Sequence, residues 1–181
     1  MKYIKGDMLE LFAKKKEALI VQQNNCTSLK LHKGSLAEKI ANKLQCNPYT
    51  TRQRPGVFPN LAYPEHRNKM GEVVIYENDE AAKVACLFAQ YRMGKANSSY
   101  YMNSNKTDEI YKTTPDTYED RLRAFEQCLN VLSEKLQSRP DISVVVFPFS
   151  IGCGMAGGDW SKYEPLIRNF AKKHNVVICK I

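Results

Sequence analysis

The last third of the chain carries the pattern that most restricts its fold. An apolar, β-branched run at 142–149 predicts a buried strand, and a second run predicts another strand at 176–181. Between them lie four glycines within 152–158 and a helical spacing of apolar residues over 161–173. A strand, a tight turn, a helix and a strand form a βαβ unit, which requires parallel strands covered by helices. The chain is therefore predicted to have an α/β fold.

The rest of the chain adds elements of the same kind. Short apolar and β-branched runs predict strands at 3–4, 18–21, 72–76 and 83–89. Apolar residues at helical spacing predict helices at 8–16, 34–44 and 117–137. Two segments without a sustained period, at about 45–70 and 91–115, are predicted to be long loops. We expect a single domain over 1–181, with a mixed sheet of about six strands.

Length and composition limit the class of protein. The chain has 181 residues, and 43% of them are hydrophobic, which suits one compact domain. No run approaches the roughly 18 apolar residues of a membrane span, and the start is too polar for a signal peptide. We therefore expect a cytoplasmic protein without a membrane partner. The six cysteines are widely spaced, so buried free thiols are expected, and no metal site.

The formal charge of +8 is unevenly distributed. Residues 1–70 contain 13 Lys and Arg against 5 Asp and Glu, whereas residues 71–181 contain 14 of each kind. A basic half raises the local concentration of anions such as nucleotides or nucleic acid. A basic surface that serves only solubility explains the charge equally well, and no RRM, OB or helix-turn-helix signature supports nucleic-acid binding.

The glycine-rich turn at 152–158 is the strongest candidate for a binding site. Glycines between a buried strand and a helix let several backbone N–H groups point outward together, and such donors hold a phosphate without a basic side chain. The turn lacks the Lys-Ser/Thr pair of a P-loop, and it does not belong to the first βα unit, where the dinucleotide fingerprint lies. The alternative is that the glycines only form a tight turn.

A second candidate loop follows the second predicted strand. It contains the amide-rich stretch 22–27 and continues through 31–37. The carboxyl ends of parallel strands meet at one edge of a sheet, where open α/β folds bind their ligands. Two amide-rich loops that face each other there would suit a pyrophosphate.

Four motifs occur at these places: Gly6-Asp7 after the first strand, Asn25 after the second, the Gly-Ser-Leu-Ala segment from Gly34, and the stretch from Ile151 to Trp160. Together they give the chain a resemblance to a macro domain, the ADP-ribose-binding three-layer α/β/α fold. The resemblance runs through the strands of nearly the whole chain. The stretches at 22–26, 60–62, 87–91 and 157–160 look most like a divergent branch found in bacteria, phages and large DNA viruses.

The resemblance implies roles for individual residues. Asp7 would accept a hydrogen bond from the adenine amino group, with Met8 beside it, and Asn25 would contact the distal ribose. The phosphates would be held by Gly34, Ser35, Ile151, Gly152, Cys153, Gly154, Met155, Ala156 and Gly157. Local alternatives remain open, because Asp7 can also cap a helix and Asn25 can also form a turn. No cofactor is implied.

Candidate catalytic groups are fewer. The branch that resembles terminal ADP-ribose protein glycohydrolase uses a Lys and an Asp where this chain has Gln90 and Ala156, so a lysine adduct is not expected. His32 can titrate near neutral pH, and Asp159 begins a helix beside the turn, while Asn25 would orient the ribose. A solvated histidine and a helix cap are the alternatives for His32 and Asp159.

Cys153 lies near a helix N-terminus and is therefore expected to have a lowered pKa. A cysteine nucleophile also needs a base partner, and the sequence reveals none.

The resemblance implies a hydrolase that acts on an ADP-ribose derivative. The substrate would be ADP-ribose 1″-phosphate or an ADP-ribosyl group on a protein or nucleic acid, so the partner is ADP-ribose or an ADP-ribosylated macromolecule. The alternative is a reader, which binds ADP-ribose without turnover. A basic nucleic-acid-binding protein is a third hypothesis.

Overall fold

The computed structural model describes residues 1–53 and 60–181. The strands in these ranges are β1 (Lys2–Lys5), β2 (Ala18–Asn25), β3 (Glu72–Tyr76), β4 (Lys83–Gln90), β5 (Val144–Pro148) and β6 (Val176–Lys180). The helices are α1 (Met8–Phe12), α2 (Leu36–Leu44), α3 (Glu109–Thr113), α4 (Tyr118–Leu136) and α5 (Trp160–Phe170), and a 3-10 helix covers Pro64–His66.

The strands form one mixed sheet in the order β1-β6-β5-β2-β4-β3. β3 is antiparallel to β4, and every other neighbouring pair is parallel. The carboxyl ends of β1, β6, β5, β2 and β4 therefore meet at the same edge. This mixed six-stranded sheet confirms the predicted strand count, and the parallel pairing of β5 with β6 confirms the predicted βαβ unit.

Helices cover both faces of the sheet. The apolar residues of α1 and α2, including Phe12 and Ile40, pack with Ile20 and Phe88 on one face. On the other face, apolar residues of α4 and α5 such as Phe125 pack against the sheet. β4 lies between these layers and is buried along its whole length. The predicted α/β/α arrangement of three layers is thus confirmed.

The second strand is longer than the sequence predicted. Its backbone pairing continues through the polar residues, with Gln22 opposite Cys86 and Asn25 opposite Gln90. Sheet pairing uses backbone groups, so polar side chains do not end a strand that still has a neighbour. The register shifts between Gln23 and Asn25, where two residues of β2 pair across three residues of β4. The predicted loop after the second strand therefore begins later, after Asn25.

The two predicted long loops contain short helices. The helix α3 lies within 91–115, where Asp108 caps it and Tyr111 is its one buried residue, so it has no apolar stripe to recognise in the sequence. The 3-10 helix lies within 45–70, of which residues 54–59 fall outside the described residues.

All six cysteines are free, as predicted, and Cys153 is the one that is partly exposed. Within residues 1–53 and 60–181, no helix combines the length and the apolar character needed to cross a bilayer.

Candidate functional site

A cleft with two lobes opens at the edge where the parallel strands end. The larger lobe has a volume of about 380 Å³ and runs along the glycine-rich turn. The smaller lobe, about 110 Å³, extends past Asn25 to His32. The residues that line both lobes are Gln23, Ser35, Ala37, Gln90, Met155 and Ala156. The two candidate loops of the sequence therefore share one cleft.

The glycine-rich turn is held in shape by its own hydrogen bonds. The N–H groups of Cys153, Gly157 and Gly158 donate to carbonyl groups within the turn at 2.9 to 3.0 Å. The backbone is left-handed at Ser150, with φ 59°, and at Gly152, with φ 74°. A Cβ on Gly152 would lie 2.6 Å from Gln23 Oε1, so the turn requires glycine there.

These bonds leave a group of backbone donors free. Among the described residues, no acceptor is bound to the N–H groups of Gly152, Gly154, Met155 and Ala156. All four residues line the larger lobe, and so does Ile151, whereas Cys153 and Gly157 line neither lobe. Successive free N–H groups of this kind favour an anion.

The start of α2 forms the opposite wall of the larger lobe. Ser35 caps this helix through its hydroxyl, and its own N–H donates to the carbonyl of His32 at 3.1 Å. The N–H of Gly34 donates to the carboxylate of Glu38 at 2.6 Å. The backbone donors of Gly34 and Ser35 are therefore already used, although both residues line the lobe.

Helix geometry leaves the first N–H groups of α2, those of Leu36 and Ala37, without an intrahelical partner. No other described residue accepts from them, and both residues line the larger lobe. The donors that this wall offers to a ligand thus lie slightly later in the sequence than Gly34 and Ser35.

The end of β2 carries buried oxygen atoms without partners. Among the described residues, no donor reaches the side-chain oxygens of Gln22, Gln23, Asn24 and Ser28. Gln22, Asn24 and Ser28 are each 1 to 3% exposed, and all four residues line the cleft. Buried polar atoms are nearly always hydrogen-bonded, so this group indicates a missing donor such as a hydroxyl.

A chain of hydrogen bonds fixes one of these amides. Gln90 Nε2 donates to the carbonyl of Arg92, which turns Gln90 Oε1 toward Gln23. Gln23 Nε2 donates to that oxygen at 3.1 Å. The orientation of Gln23 therefore leaves its own oxygen as the free atom.

Asn25 uses its side-chain oxygen in the local turn. Asn25 Oδ1 accepts from the N–H of Thr27 at 3.1 Å and of Ser28 at 2.7 Å. Its backbone N–H and carbonyl both contact the hydroxyl of Tyr49. Asn25 still lines the smaller lobe, and its contact with a ribose stays a prediction.

Asp7 and Met8 lie at the far end of the same sheet edge. Asp7 caps α1 by accepting from the N–H of Leu9 at 2.7 Å, and Met8 is buried in the core. Neither residue is part of the lining of the two lobes. The end of β1 lies three strand spacings from the end of β2, or about 14 Å. Their assignment to an adenine stays a prediction.

The predicted catalytic residues are not all in one place. His32 is exposed and lines the smaller lobe beside Asn25. Asp159 is exposed and caps α5 by accepting from the N–H of Ser161 at 2.9 Å, and hydrogen bonds from Ser161 lower its pKa. It lines a further cavity of about 520 Å³ between the turn and α4, which Arg121 and Ala156 also line. The structure thus brings together His32 and Asn25 but not Asp159.

The expected lowering of the Cys153 pKa is wrong. Burial, together with the negative charge of Asp159, raises the pKa of this thiol to about 11. Its Sγ donates to the carbonyl of Ile151 at 3.3 Å. The thiol is therefore protonated at neutral pH. Within residues 1–53 and 60–181, no three His, Cys, Asp or Glu side chains are grouped to hold a metal ion.

Gln22, Gln23 and Asn24 were predicted only as part of the second candidate loop, without individual roles. With Asn25 they form a run of four amides at the end of a buried strand, and that run was the available signal. Gln90 belongs to one of the stretches that carry the resemblance, but no binding role was predicted for it, because its bond to Gln23 joins two strands that are far apart in the sequence.

Comparison with known proteins identifies the fold. No family model matches the chain, and no curated protein matches it. The macrodomain of DarG from Thermus aquaticus matches with a TM-score of 0.60 and 13% identity, covering 99% of this chain and 97% of that one. The macrodomain of DarG from Mycobacterium tuberculosis matches with a TM-score of 0.59 and 14% identity, over the same shares. The chain therefore has the macro domain fold that the sequence resemblance predicted.

Proposed function

We propose that the cleft binds ADP-ribose or an ADP-ribosyl group and that the protein hydrolyses ADP-ribose derivatives. One observation carries the proposal: a group of free backbone donors in the glycine-rich turn lies in the same cleft as buried, unpartnered side-chain oxygens. Free N–H groups favour phosphate oxygens, whereas amide oxygens accept from donors such as the hydroxyls of a sugar. A sugar joined to a pyrophosphate carries both kinds of group.

The same arrangement favours one direction for the ligand. The pyrophosphate would lie between the glycine-rich turn and the start of α2, and the distal ribose would lie against Gln23 and Asn24. The adenosine would extend along the sheet edge toward Asp7. The distance of about 14 Å between the ends of β1 and β2 suits a ligand whose two sugars are separated by a pyrophosphate.

Hydrolysis would depend mainly on position. A water held between the phosphate and the distal ribose would be directed at the scissile bond, whether that bond leads to a 1″-phosphate or to a protein or nucleic acid. A general base typically adds roughly 10²- to 10⁴-fold, and His32 is the predicted group that lies in the smaller lobe.

The second candidate function is a reader without turnover. It is supported by the protonated thiol of Cys153 and by the place of Asp159 outside the cleft. Gln90 and Ala156, which stand where a related branch has Lys and Asp, have no titratable side chain. A nucleic-acid-binding protein is less supported, because the free donors of the glycine-rich turn and of the start of α2 are neutral backbone groups.

Calorimetry with ADP-ribose, ADP and AMP tests the shared part of both functions. We expect saturable binding of ADP-ribose, weaker binding of ADP, which lacks the distal ribose, and weakest binding of AMP. Equal affinities for all three would contradict a site for the distal ribose. Release of phosphate from ADP-ribose 1″-phosphate, or of ADP-ribose from a modified protein or oligonucleotide, then separates the hydrolase from the reader.

A further inference from the structure

A buried cluster of charges lies directly behind the glycine-rich turn. Its members are Arg92, Asp116 and Arg121, whose side chains are 5%, 0% and 2% exposed. Asp116 accepts from Nε and Nη2 of Arg121 at 2.8 and 2.7 Å, which is a two-pronged contact. It also accepts from the N–H groups of Tyr91 and Arg92 at 3.0 Å each. The guanidinium of Arg121 therefore has one fixed orientation.

Arg121 joins the turn to the segment that follows β4. Its Nη1 donates to the carbonyl of Ala156 at 3.2 Å and to that of Gly94 at 2.7 Å. Ala156 lines both lobes of the cleft, and its N–H is among the free donors of the turn. The guanidinium thus lies behind the turn, where Arg121 also lines the cavity of about 520 Å³, and it binds a carbonyl of a residue that lines the cleft.

The charges of the cluster do not balance. Two arginines and one aspartate give a net charge of +1 among buried groups. Arg92 donates to the carbonyls of Tyr111, Lys112 and Thr114, which partly offset its charge. A buried cation is costly unless an opposite charge lies near it, so the cluster favours an anion close to the turn, and the free N–H groups of the turn point to the cleft side.

We propose that Arg121, oriented by Asp116, is a positioning residue for the phosphate site. By binding the carbonyl of Ala156 from behind, it keeps the N–H groups of the turn directed into the cleft, and its charge favours the anion that they bind. This inference rests on the proposed function, in which the turn holds the pyrophosphate of ADP-ribose.

The test compares two lysine variants that both keep the charge. Arg121→Lys loses the two-pronged contact with Asp116 and the bond to Ala156. Arg92→Lys is the matched control, because Arg92 belongs to the same buried cluster but forms no hydrogen bond with the turn. The dissociation constants for ADP-ribose and for adenosine, which lacks phosphate, are measured by calorimetry, and melting temperatures by circular dichroism.

We expect Arg121→Lys to weaken ADP-ribose binding by about tenfold or more, the usual effect of a lost charge-assisted hydrogen bond, and to leave adenosine binding unchanged. Arg92→Lys should lower the melting temperature while changing ADP-ribose affinity less. Unchanged ADP-ribose affinity in folded Arg121→Lys, or equal losses in the two variants, would overturn the inference. If wild type binds no ADP-ribose, the proposed function fails instead.

A measurement on wild type covers the case in which Arg121→Lys does not fold. The Nε–H resonance of Arg121 is followed by NMR during titration with ADP-ribose, with that of Arg67, which pairs with Asp108 away from the turn, as the control. A shift for Arg121 alone supports the inference, and no shift, or equal shifts, overturns it.

Discussion

The amides at the end of β2 differ in whether their side-chain oxygens already have partners. Beyond the register shift, Asn25 turns its oxygen to the N–H groups of Thr27 and Ser28, while the oxygen of Asn24 is buried without a partner. The run of four amides could be recognised from the sequence. Which of their oxygens stay without a partner could not, because that depends on the turn after β2 and on pairing with β4, far along the chain.

Substitution of the two asparagines should therefore have different effects. We expect Asn24→Leu to weaken ADP-ribose binding by roughly 1 to 3 kcal/mol, the cost of a lost hydrogen bond to a buried group, and to leave ADP binding nearly unchanged. Asn25→Ala should instead lower the free energy of unfolding by about 1 kcal/mol through loss of its turn. Calorimetry and urea unfolding measure both effects. If Asn25→Ala, and not Asn24→Leu, weakens the binding of ADP-ribose while leaving that of ADP unchanged, Asn25 contacts the distal ribose as the resemblance implies.

The two titratable candidates should also separate in a turnover assay. If the protein is a hydrolase, His32→Ala should lower kcat by about 10²-fold or more, because a general base is lost. Asp159→Asn keeps the helix cap, since Asn caps as well as Asp, and should leave kcat within about twofold. Because hydrogen bonds lower the Asp159 pKa, its carboxyl is already ionised at neutral pH. A large loss of kcat in Asp159→Asn would show that the cavity between the turn and α4 takes part in the reaction.

At the level of elements, the sequence signals were strong where one apolar pattern spans a whole element. The strand β5, the turn and α5 were predicted with small errors at their ends. The helix α3 was not, because five residues capped by Asp108 carry no periodic pattern. The conformation of individual glycines in the turn was also beyond the sequence, since Gly154 has no positive φ while the non-glycine Ser150 does.

Two alanine substitutions test what the turn requires. A Cβ on Gly152 would meet Gln23 Oε1 at 2.6 Å and Tyr163 Cε1 at 2.7 Å, whereas a Cβ on Gly154 meets nothing within 4 Å. We expect Gly152→Ala to lower the free energy of unfolding by roughly 1 to 3 kcal/mol, from strain and overpacking, and to weaken ADP-ribose binding. Gly154→Ala should leave stability nearly unchanged. Urea unfolding measures the change in stability, and calorimetry measures the change in ADP-ribose affinity. Equal losses of stability in the two variants would contradict this account of the turn.

At the scale of the whole molecule, the fold could be predicted from the sequence resemblance, because the residues that resemble a macro domain lie in contiguous strands and turns. The charge cluster behind the turn could not be predicted from the sequence. Arg121 contacts Asp116 and the carbonyl of Ala156, and the second contact joins residues that only the fold brings together. The uneven net charge, in contrast, is directly visible in the sequence. The excess of positive charge in residues 1–70 lies largely on exposed lysines such as Lys14, Lys30 and Lys33. Buried and exposed charges should differ in their response to salt.

Salt titration tests whether the cleft or the basic surface dominates anion binding. Between about 50 and about 200 mM KCl, we expect the affinity for ADP-ribose to change by less than about threefold, because neutral N–H groups and buried charges are screened little. An oligonucleotide that contacts six or more phosphates would lose roughly 10³-fold over the same range. Lys30 is exposed and lines the smaller lobe, so Lys30→Gln tests whether a surface lysine of the cleft contributes, and we expect it to leave the salt dependence of ADP-ribose binding nearly unchanged. A steep loss of ADP-ribose affinity with salt that Lys30→Gln removes would assign the binding to this lysine and not to the glycine-rich turn.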